Sequence, residues 1–191
     1  MDKYDVILAD PPWSYNKEVT GGSMSSGAIQ QYPVMSIDEL AELPIGDIAE
    51  ENSVLFMWVV PPKYYDGINK IWESWGFRYI TKAWTWVKAN KSGMGFFTGM
   101  GHYSRANTED CFLCIKGSMP VARHDIQALI YSPVREHSRK PDDQYRKIEA
   151  LYPNMKYLEL FARRKREGWD SWGNEVDSDI ELEAYESTKR I

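Results

Sequence analysis

The sequence has few of the residues from which metal sites and membrane spans are built. Its 191 residues include two cysteines and three histidines. The longest apolar run, from Val54 to Val60, is far shorter than the ~20 residues that span a bilayer. No signal-peptide pattern opens the chain. We therefore expect a soluble, cytoplasmic protein that makes no contact with a membrane.

The two cysteines, Cys111 and Cys114, have a C-x-x-C spacing that is open to a redox or a zinc interpretation. They lie in a stretch rich in Phe, Leu and Ile that predicts a buried strand, where positions i and i+3 point to opposite faces. A zinc site would need two further ligands, and the histidines available are His102, His124 and His137. We therefore predict two core thiols and no metal site.

Charge and glycine patterns also limit the function classes. No G-x-G-x-x-G follows a predicted strand, so the residues alone do not indicate a dinucleotide site. The net charge of −5 argues against a generic nucleic-acid binder. From Glu175 onward, however, there are six acids and two bases, and the preceding 174 residues carry 22 acids and 21 bases. A nearly neutral body with local basic loops is compatible with nucleic-acid binding. We expect one domain over residues 1–176 and an acidic tail over residues 177–191.

Apolar patterning predicts an α/β protein. A capping box at Ser36-Ile37-Asp38-Glu39 predicts the start of a short helix that runs to about Leu43, a further helix is predicted to end at Gly76, and Pro141 predicts the start of a third that runs to about Tyr152. Strands that alternate with helices predict a mainly parallel sheet with helices on both faces. The predicted strands cover residues 4–9, 54–60, 78–88, 110–116 and 156–162.

The first predicted strand is followed directly by Asp10-Pro11-Pro12-Trp13. Ligands of open α/β sheets bind at the carboxyl ends of strands, and two prolines stiffen the turn and remove two backbone donors. We expect the prolyl carbonyls to be free to accept hydrogen bonds and Trp13 to offer a flat apolar face. Such a turn suits a planar group with an exocyclic amine, such as adenine N6. An ordinary turn at the edge of the core is the alternative that these four residues leave open.

Seven further segments follow this motif in a fixed order. They are Leu55-Phe56-Met57-Trp58-Val59, Trp84-Thr85-Trp86-Val87-Lys88, Thr98-Gly99-Met100-Gly101-His102, Cys111-Phe112-Leu113-Cys114-Ile115-Lys116-Gly117, Ser138-Arg139-Lys140-Pro141-Asp142, Glu159-Leu160-Phe161-Ala162-Arg163 and Trp172-Gly173-Asn174-Glu175. Over residues 4–176 the set resembles the adenine-N6 methyltransferases typified by the catalytic subunits of the eukaryotic mRNA enzymes, a family with bacterial and phage relatives that act on DNA. The resemblance implies a permuted Rossmann-like methyltransferase fold, in which the catalytic strand comes first and the cofactor-binding strand, residues 157–161, comes last.

The resemblance also implies the site residues and the cofactor, S-adenosylmethionine. Asp10, Pro11, Pro12 and Trp13 would be catalytic. The cofactor site would comprise Asp10, Lys140, Arg163, Asn174 and Glu175, with Lys140 on the cofactor's carboxylate and the last three on its ribose and adenine. Glu175 stands where the family usually has glutamine. For Lys140 and Arg163 the alternative is an ordinary surface charge.

Two basic stretches are expected to bind the phosphates of the substrate, since phosphate contacts position a nucleic acid. The expected substrate residues are Trp13, Tyr32 (by resemblance), Arg135, Arg139, Arg164 and Arg166. The compact chain favours DNA as the substrate. RNA methylation is one alternative, and a non-catalytic nucleic-acid-binding subunit of a methyltransferase complex is another. Whether the chain forms a homodimer or a heterodimer is left open.

Overall fold

The computed structural model describes residues 3–14, 34–60, 63–99, 103–136 and 139–182. Tyr32, one of the expected substrate residues, lies outside these ranges. No helix among the described residues is long and apolar enough to cross a membrane. The elements in chain order are β1 (Tyr4–Ala9), α1 (Ile37–Ala41), α2 (Ile45–Ile48), β2 (Ala49–Val59), α3 (Asn69–Ser74), β3 (Arg78–Ala89), β4 (Thr108–Lys116), β5 (Leu129–Pro133), α4 (Asp143–Leu151), β6 (Tyr157–Leu160) and β7 (Trp169–Trp172).

The described strands form one seven-stranded sheet in the order β5-β3-β4-β2-β1-β6-β7. β1 is parallel to both β2 and β6, β3 is parallel to β5, and β6 is parallel to β7. Only β4 runs antiparallel to its neighbours β2 and β3. The prediction of a mainly parallel sheet is therefore confirmed, with the first strand of the chain paired centrally beside β6.

One edge of this sheet collects the strand ends that matter for function. We call it the carboxyl edge, because β1, β2, β3 and β6 all end there. Since β4 is antiparallel, it begins at the same edge: Thr108 pairs with Val87, and Asp110 pairs with Val59. The residues just after β1 and the first residues of β4 therefore approach each other at the carboxyl edge.

Helices cover both faces of the sheet, as predicted. On one face, Leu40 of α1, Ile48 of α2 and Ile71 of α3 pack against strand residues such as Met57. On the other face, Ile148 of α4 joins a cluster that includes several tryptophans of β2 and β3. Full burial of one such aliphatic side chain is worth about 1.5–3 kcal/mol. Both layers therefore contribute to holding the carboxyl edge in place.

Local signals account for several helix boundaries. The Ser36 side chain accepts from the Glu39 backbone N–H, and the Glu39 carboxylate accepts from the Ser36 backbone N–H, so the predicted capping box is confirmed. Gly76, just beyond α3, has a φ of 81°, which a residue with a Cβ adopts only at a cost. The short elements α2, β5 and β7 were not predicted.

The two cysteines lie on opposite faces of β4, as their spacing predicts. Cys111 packs in the cluster beneath α4, and Cys114 packs in the cluster beneath α1–α3. Burial raises the pKa of Cys114 to about 12 and that of Cys111 well above its ordinary value. Both side chains are therefore neutral core thiols that point away from each other.

Candidate functional site

An open cleft lies at the carboxyl edge, beside the ends of β1 and β6. Its walls come from β1, β2, β6, the start of α4 and the segments that flank them. Five of the predicted site residues line it: Asp10, Arg139, Lys140, Arg163 and Arg164. The other lining residues are Leu8, Trp58, Gln144, Tyr145, Glu159 and Phe161.

Asp10 and Lys140 form an ion pair in the cleft. The Lys140 ammonium donates to both Asp10 carboxylate oxygens, at 2.8 and 2.7 Å, and lies 3.2 Å from Glu109 Oε2. The Lys140 side chain is only 9% exposed. Glu109 in turn pairs with Lys88. Two carboxylates and two ammonium groups thus alternate in a row of four side chains, whose summed formal charge is zero.

This alternation sets the pKa values of the network. Burial raises the pKa of Asp10, and the neighbouring Lys140 ammonium offsets part of that effect. Burial alone would lower the pKa of Lys140, but Asp10 and Glu109 outweigh it and raise the pKa. Burial would likewise raise the pKa of Glu109, but Lys140 and Lys88 hold it below its ordinary value. Lys140 is therefore a cation held between two carboxylates.

The Lys140 ammonium is already engaged by two carboxylates of the protein. An ammonium group has three N–H donors, and Lys140 directs its donors at Asp10 and Glu109. A carboxylate on the cofactor would have to replace one of these partners. The role predicted for Lys140 on the cofactor thus stays a prediction, whereas its contact with Asp10 is direct.

The turn after β1 differs from the expectation in one respect. The Pro11 carbonyl accepts from the Trp13 backbone N–H at 2.9 Å, and the Pro12 carbonyl accepts from the Met35 N–H at 2.8 Å. The expectation of free prolyl carbonyls was therefore wrong, because the turn folds back on itself and pairs with the segment at Met35. A carbonyl oxygen has two lone pairs, so each retains one further acceptor position.

Trp13 is packed into the core rather than displayed. Its side chain is 6% exposed and belongs to the apolar cluster beneath α1–α3. The indole N–H is buried and has no hydrogen-bond partner among the described residues. A packing role for Trp13 is thus visible, and the predicted stacking on adenine stays a prediction.

The floor of the cleft carries two groups that the sequence analysis did not select. Tyr145 of α4 donates its hydroxyl to both carboxylate oxygens of Glu159, at 3.0 Å each. Burial raises the pKa of Glu159 to about 7, even though the Tyr145 bond lowers it. A glutamate inside the apolar strand sequence Tyr157-Leu158-Glu159-Leu160 is the signal that would have found this site, since unpaired carboxylates rarely enter buried strands.

The chain after β6 takes an unusual path beside the cleft. Phe161 has a φ of 60°, a left-handed conformation that is uncommon for a residue with a Cβ. It packs edge-on against Trp172. A Cβ on Gly173 would lie 2.2 Å from the Ala162 carbonyl oxygen, so only glycine fits there. The matched segments at Phe161 and at Trp172-Gly173 are therefore locked against each other.

The remaining predicted cofactor residues lie at the rim of the site. Arg163 Nε lies 3.5 Å from the Glu175 carboxylate, and both side chains are more than a third exposed. Asn174 is exposed next to them. The structure thus places Arg163 on the cleft and brings Glu175 to it, while Asn174 sits outside the lining residues.

The four arginines expected to bind phosphate are already paired with carboxylates. Arg135, Arg139 and Arg164 all contact Asp142. Arg166 contacts Glu149 of α4, at 2.8 Å. The basic stretches are therefore a mixed-charge surface and not an open cationic patch.

The acidic residues after 176 begin against the sheet edge. The Asp179 carboxylate accepts from the Ser171 backbone N–H at 2.9 Å, and the Asp179 N–H donates to the Ser171 carbonyl at 2.8 Å. Lys165 pairs with the same carboxylate, and Leu182 is 2% exposed. Residues 177–182 thus cover the edge of β7.

The chain is similar to known proteins along most of its length. The MT-A70 family model matches residues 4–175. The type II methyltransferase M.MunI of Mycoplasma sp is 33% identical over 202 residues, which cover 94% of this chain and 81% of that protein. An MT-A70-like N(6)-adenosine-methyltransferase of Arabidopsis thaliana is 32% identical over 93% of this chain and 24% of its own length.

The human N(6)-adenosine-methyltransferase catalytic subunit METTL3 is 29% identical over 93% of this chain. That match covers 29% of METTL3, so the chain spans less than a third of the plant and human relatives. The family match over residues 4–175, however, includes every described element from β1 to β7. The chain belongs to the MT-A70 family.

Proposed function

We propose that this chain transfers a methyl group from S-adenosylmethionine to N6 of adenine in a nucleic acid. The observation that carries the proposal is the Asp10–Lys140 ion pair, which stands in a cleft at the carboxyl end of β1, directly before the rigid Pro11-Pro12 turn. The names of the relatives, a type II methyltransferase and two N(6)-adenosine-methyltransferases, support the same reaction.

Asp10 suits the needs of an amine nucleophile. The lone pair of adenine N6 is delocalised into the ring, so the nitrogen reacts better when an acceptor takes a hydrogen bond from it. Each Asp10 oxygen accepts one bond from Lys140 and keeps room for a second. Positive charge that develops on the nitrogen would then face the carboxylate of Asp10. Groups fixed in place before the reaction stabilise such charge without reorganisation.

The cleft residues also fit the cofactor. When bound, S-adenosylmethionine supplies a methyl group activated by a sulfonium. The buried Nε of Arg139 has no hydrogen-bond partner among the described residues, so it is a donor available to a carboxylate. Glu159 is an acceptor for hydroxyl or ammonium groups on the cleft floor.

DNA is the polymer that we propose. The relative M.MunI, named a type II methyltransferase, is 33% identical to this chain over 94% of the chain. Extrusion of a paired adenine costs a few kcal/mol, so a single strand should react at least as readily as a duplex. We also propose that Tyr32 and Trp13 contact the substrate. The assembly to be tested is a homodimer or a heterodimer.

The test is methyl transfer from labelled S-adenosylmethionine to duplex DNA, single-stranded DNA and RNA of matched sequence, with base analysis of the product. We expect N6-methyladenine, formed faster in DNA. Faster formation in RNA would retain the chemistry and replace the polymer. A folded protein that binds no S-adenosylmethionine by calorimetry and transfers no methyl group would be a non-catalytic subunit, and the proposal would fail. Sedimentation of the same samples reports the oligomeric state.

A further inference from the structure

Asp142 stands where three arginines from two parts of the chain meet. One oxygen, Oδ2, accepts from Arg135 at 2.7 Å and from Arg139 at 3.3 Å. The other, Oδ1, accepts from Arg164 at 2.5 Å. Among the described residues no other carboxylate pairs with three arginines. Such a concentration of guanidinium groups would repel itself without the shared anion.

The start of a helix does not explain this carboxylate. Asp142 occupies the N-cap of α4, where an aspartate normally accepts from a backbone N–H of the first turn. Its side chain makes no such bond, and its backbone is already helical, with φ −66° and ψ −14°. Its acceptor capacity is directed to the arginines instead.

The contacts of Asp142 join two walls of the cleft. Arg135, besides its bond to Asp142, donates to the Lys140 carbonyl at 2.7 Å, so the segment that carries Lys140 is closed into a ring. Arg164 directly follows Arg163 on the other wall, after β6. Lys140 and Arg163 both line the cleft. A single carboxylate therefore sets the spacing between the two segments that carry them.

We propose that Asp142 is a positioning residue: it holds the Lys140 segment and the Arg163 segment at the separation that cofactor binding requires. The inference rests on the proposed function for the identity of the cofactor. It does not require Asp142 to touch the cofactor or the adenine. The proposal predicts that loss of the Asp142 charge makes the segments that carry Lys140 and Arg163 more mobile, while helix α4 remains folded.

The chain offers a close control for the test. Asp142→Asn removes the charge and keeps the shape, and asparagine is as good an N-cap as aspartate. Asp143→Asn makes the same change one residue later, where the carboxylate pairs with the exposed Arg146 and not with a residue of the cleft. Asp142→Glu keeps the charge on a longer side chain and should restore part of the function.

Hydrogen exchange of the ligand-free protein is the first measurement. We expect Asp142→Asn to speed amide exchange in residues 139–142 and 163–166, and Asp143→Asn to leave both segments as in the wild type. Equal exchange in the two variants would overturn the proposal, whatever the protein methylates. Should Asp142→Asn fail to fold, Asp142→Glu gives a milder form of the comparison, because it retains the charge but changes the spacing; exchange no faster than in Asp143→Asn would then overturn the proposal.

The second measurement separates positioning from chemistry. The KM for S-adenosylmethionine should rise about ten-fold in Asp142→Asn, on the scale of one lost charge-assisted hydrogen bond, while kcat at saturation changes little. Asp142→Glu should recover part of the KM. A loss confined to kcat, or a loss shared by Asp143→Asn, would contradict the inference. A wild-type protein that binds no S-adenosylmethionine would instead refute the proposed function, and the exchange data would still decide the role of Asp142.

Discussion

Replacement of Glu159 by glutamine should stabilise the protein at alkaline pH and leave it nearly unchanged at acidic pH. Burial at the end of β6 raises the pKa of this carboxyl from 4.5 to about 7, against the bond from Tyr145. The folded state therefore binds the proton more tightly than the unfolded chain does. At 1.36 kcal/mol per pKa unit, the difference corresponds to on the order of 3 kcal/mol of unfolding free energy once Glu159 is ionised in both states.

The sign of the effect follows from this raised pKa. Below about pH 4.5 the group is protonated in both states and costs nothing. Between about pH 4.5 and about pH 7 the wild type loses stability, because the unfolded chain releases this proton while the folded protein retains it. Glutamine resembles the protonated acid, so Glu159→Gln should escape that loss and still accept the Tyr145 hydroxyl.

Urea unfolding of both proteins across this pH range is the assay. The two stability curves should meet at acidic pH and separate by up to about 3 kcal/mol at about pH 8. Glu39→Gln is the control of opposite sign, because the Ser36 backbone N–H lowers the pKa of Glu39, so that variant should lose stability at neutral pH. Parallel curves for wild type and Glu159→Gln would refute the raised pKa of Glu159.

Three further predictions concern the proposed reaction. Asp10→Ala should lower methyl transfer on the order of 10²-fold or more through loss of a preorganised acceptor, with a smaller effect on cofactor binding; near-normal turnover by the folded variant would rule out its role. Trp13→Ala should weaken adenine binding by ~1–3 kcal/mol, and Trp13→Phe should recover much of it, if Trp13 stacks on the base; equal impairment of both variants would assign Trp13 to core packing. Lys140→Ala and Arg163→Ala should each raise the Kd for S-adenosylmethionine in calorimetry, and unchanged affinity in both would contradict their cofactor roles.

Much of the fold could be predicted because the central strands have continuous apolar sequences. β2 contains the continuous buried run from Val54 to Val59, which is typical of a strand covered on both faces. β7, with the sequence Trp169-Asp170-Ser171-Trp172, has no such pattern and is defined by its pairing with β6 and its cover by Asp179. β5 likewise exists through its pairing with β3. The reversed direction of β4 also has no local signal, because a strand's own pattern does not encode the orientation of its neighbours.

Five of the predicted site residues line the cleft, but the contacts that they make could not be predicted from the sequence. Asp10 and Lys140 are 130 positions apart in the chain, and the sequence patterns assigned both to one site. That Lys140 pairs with Asp10 itself, and that the carbonyls of Pro11 and Pro12 are already bonded, depends on three-dimensional packing that the motif does not describe.

The basic stretches illustrate the same limit and change the expected binding of nucleic acid. Four arginines, at 135, 139, 164 and 166, suggest four phosphate contacts when they are counted along the sequence. In the fold they share three carboxylates, those of Glu136, Asp142 and Glu149, which leaves a net charge of +1. A phosphate must displace a carboxylate before it binds a paired arginine. If this surface binds the polymer, the salt dependence should therefore follow its net charge, with a logarithmic slope of about −1 rather than about −4.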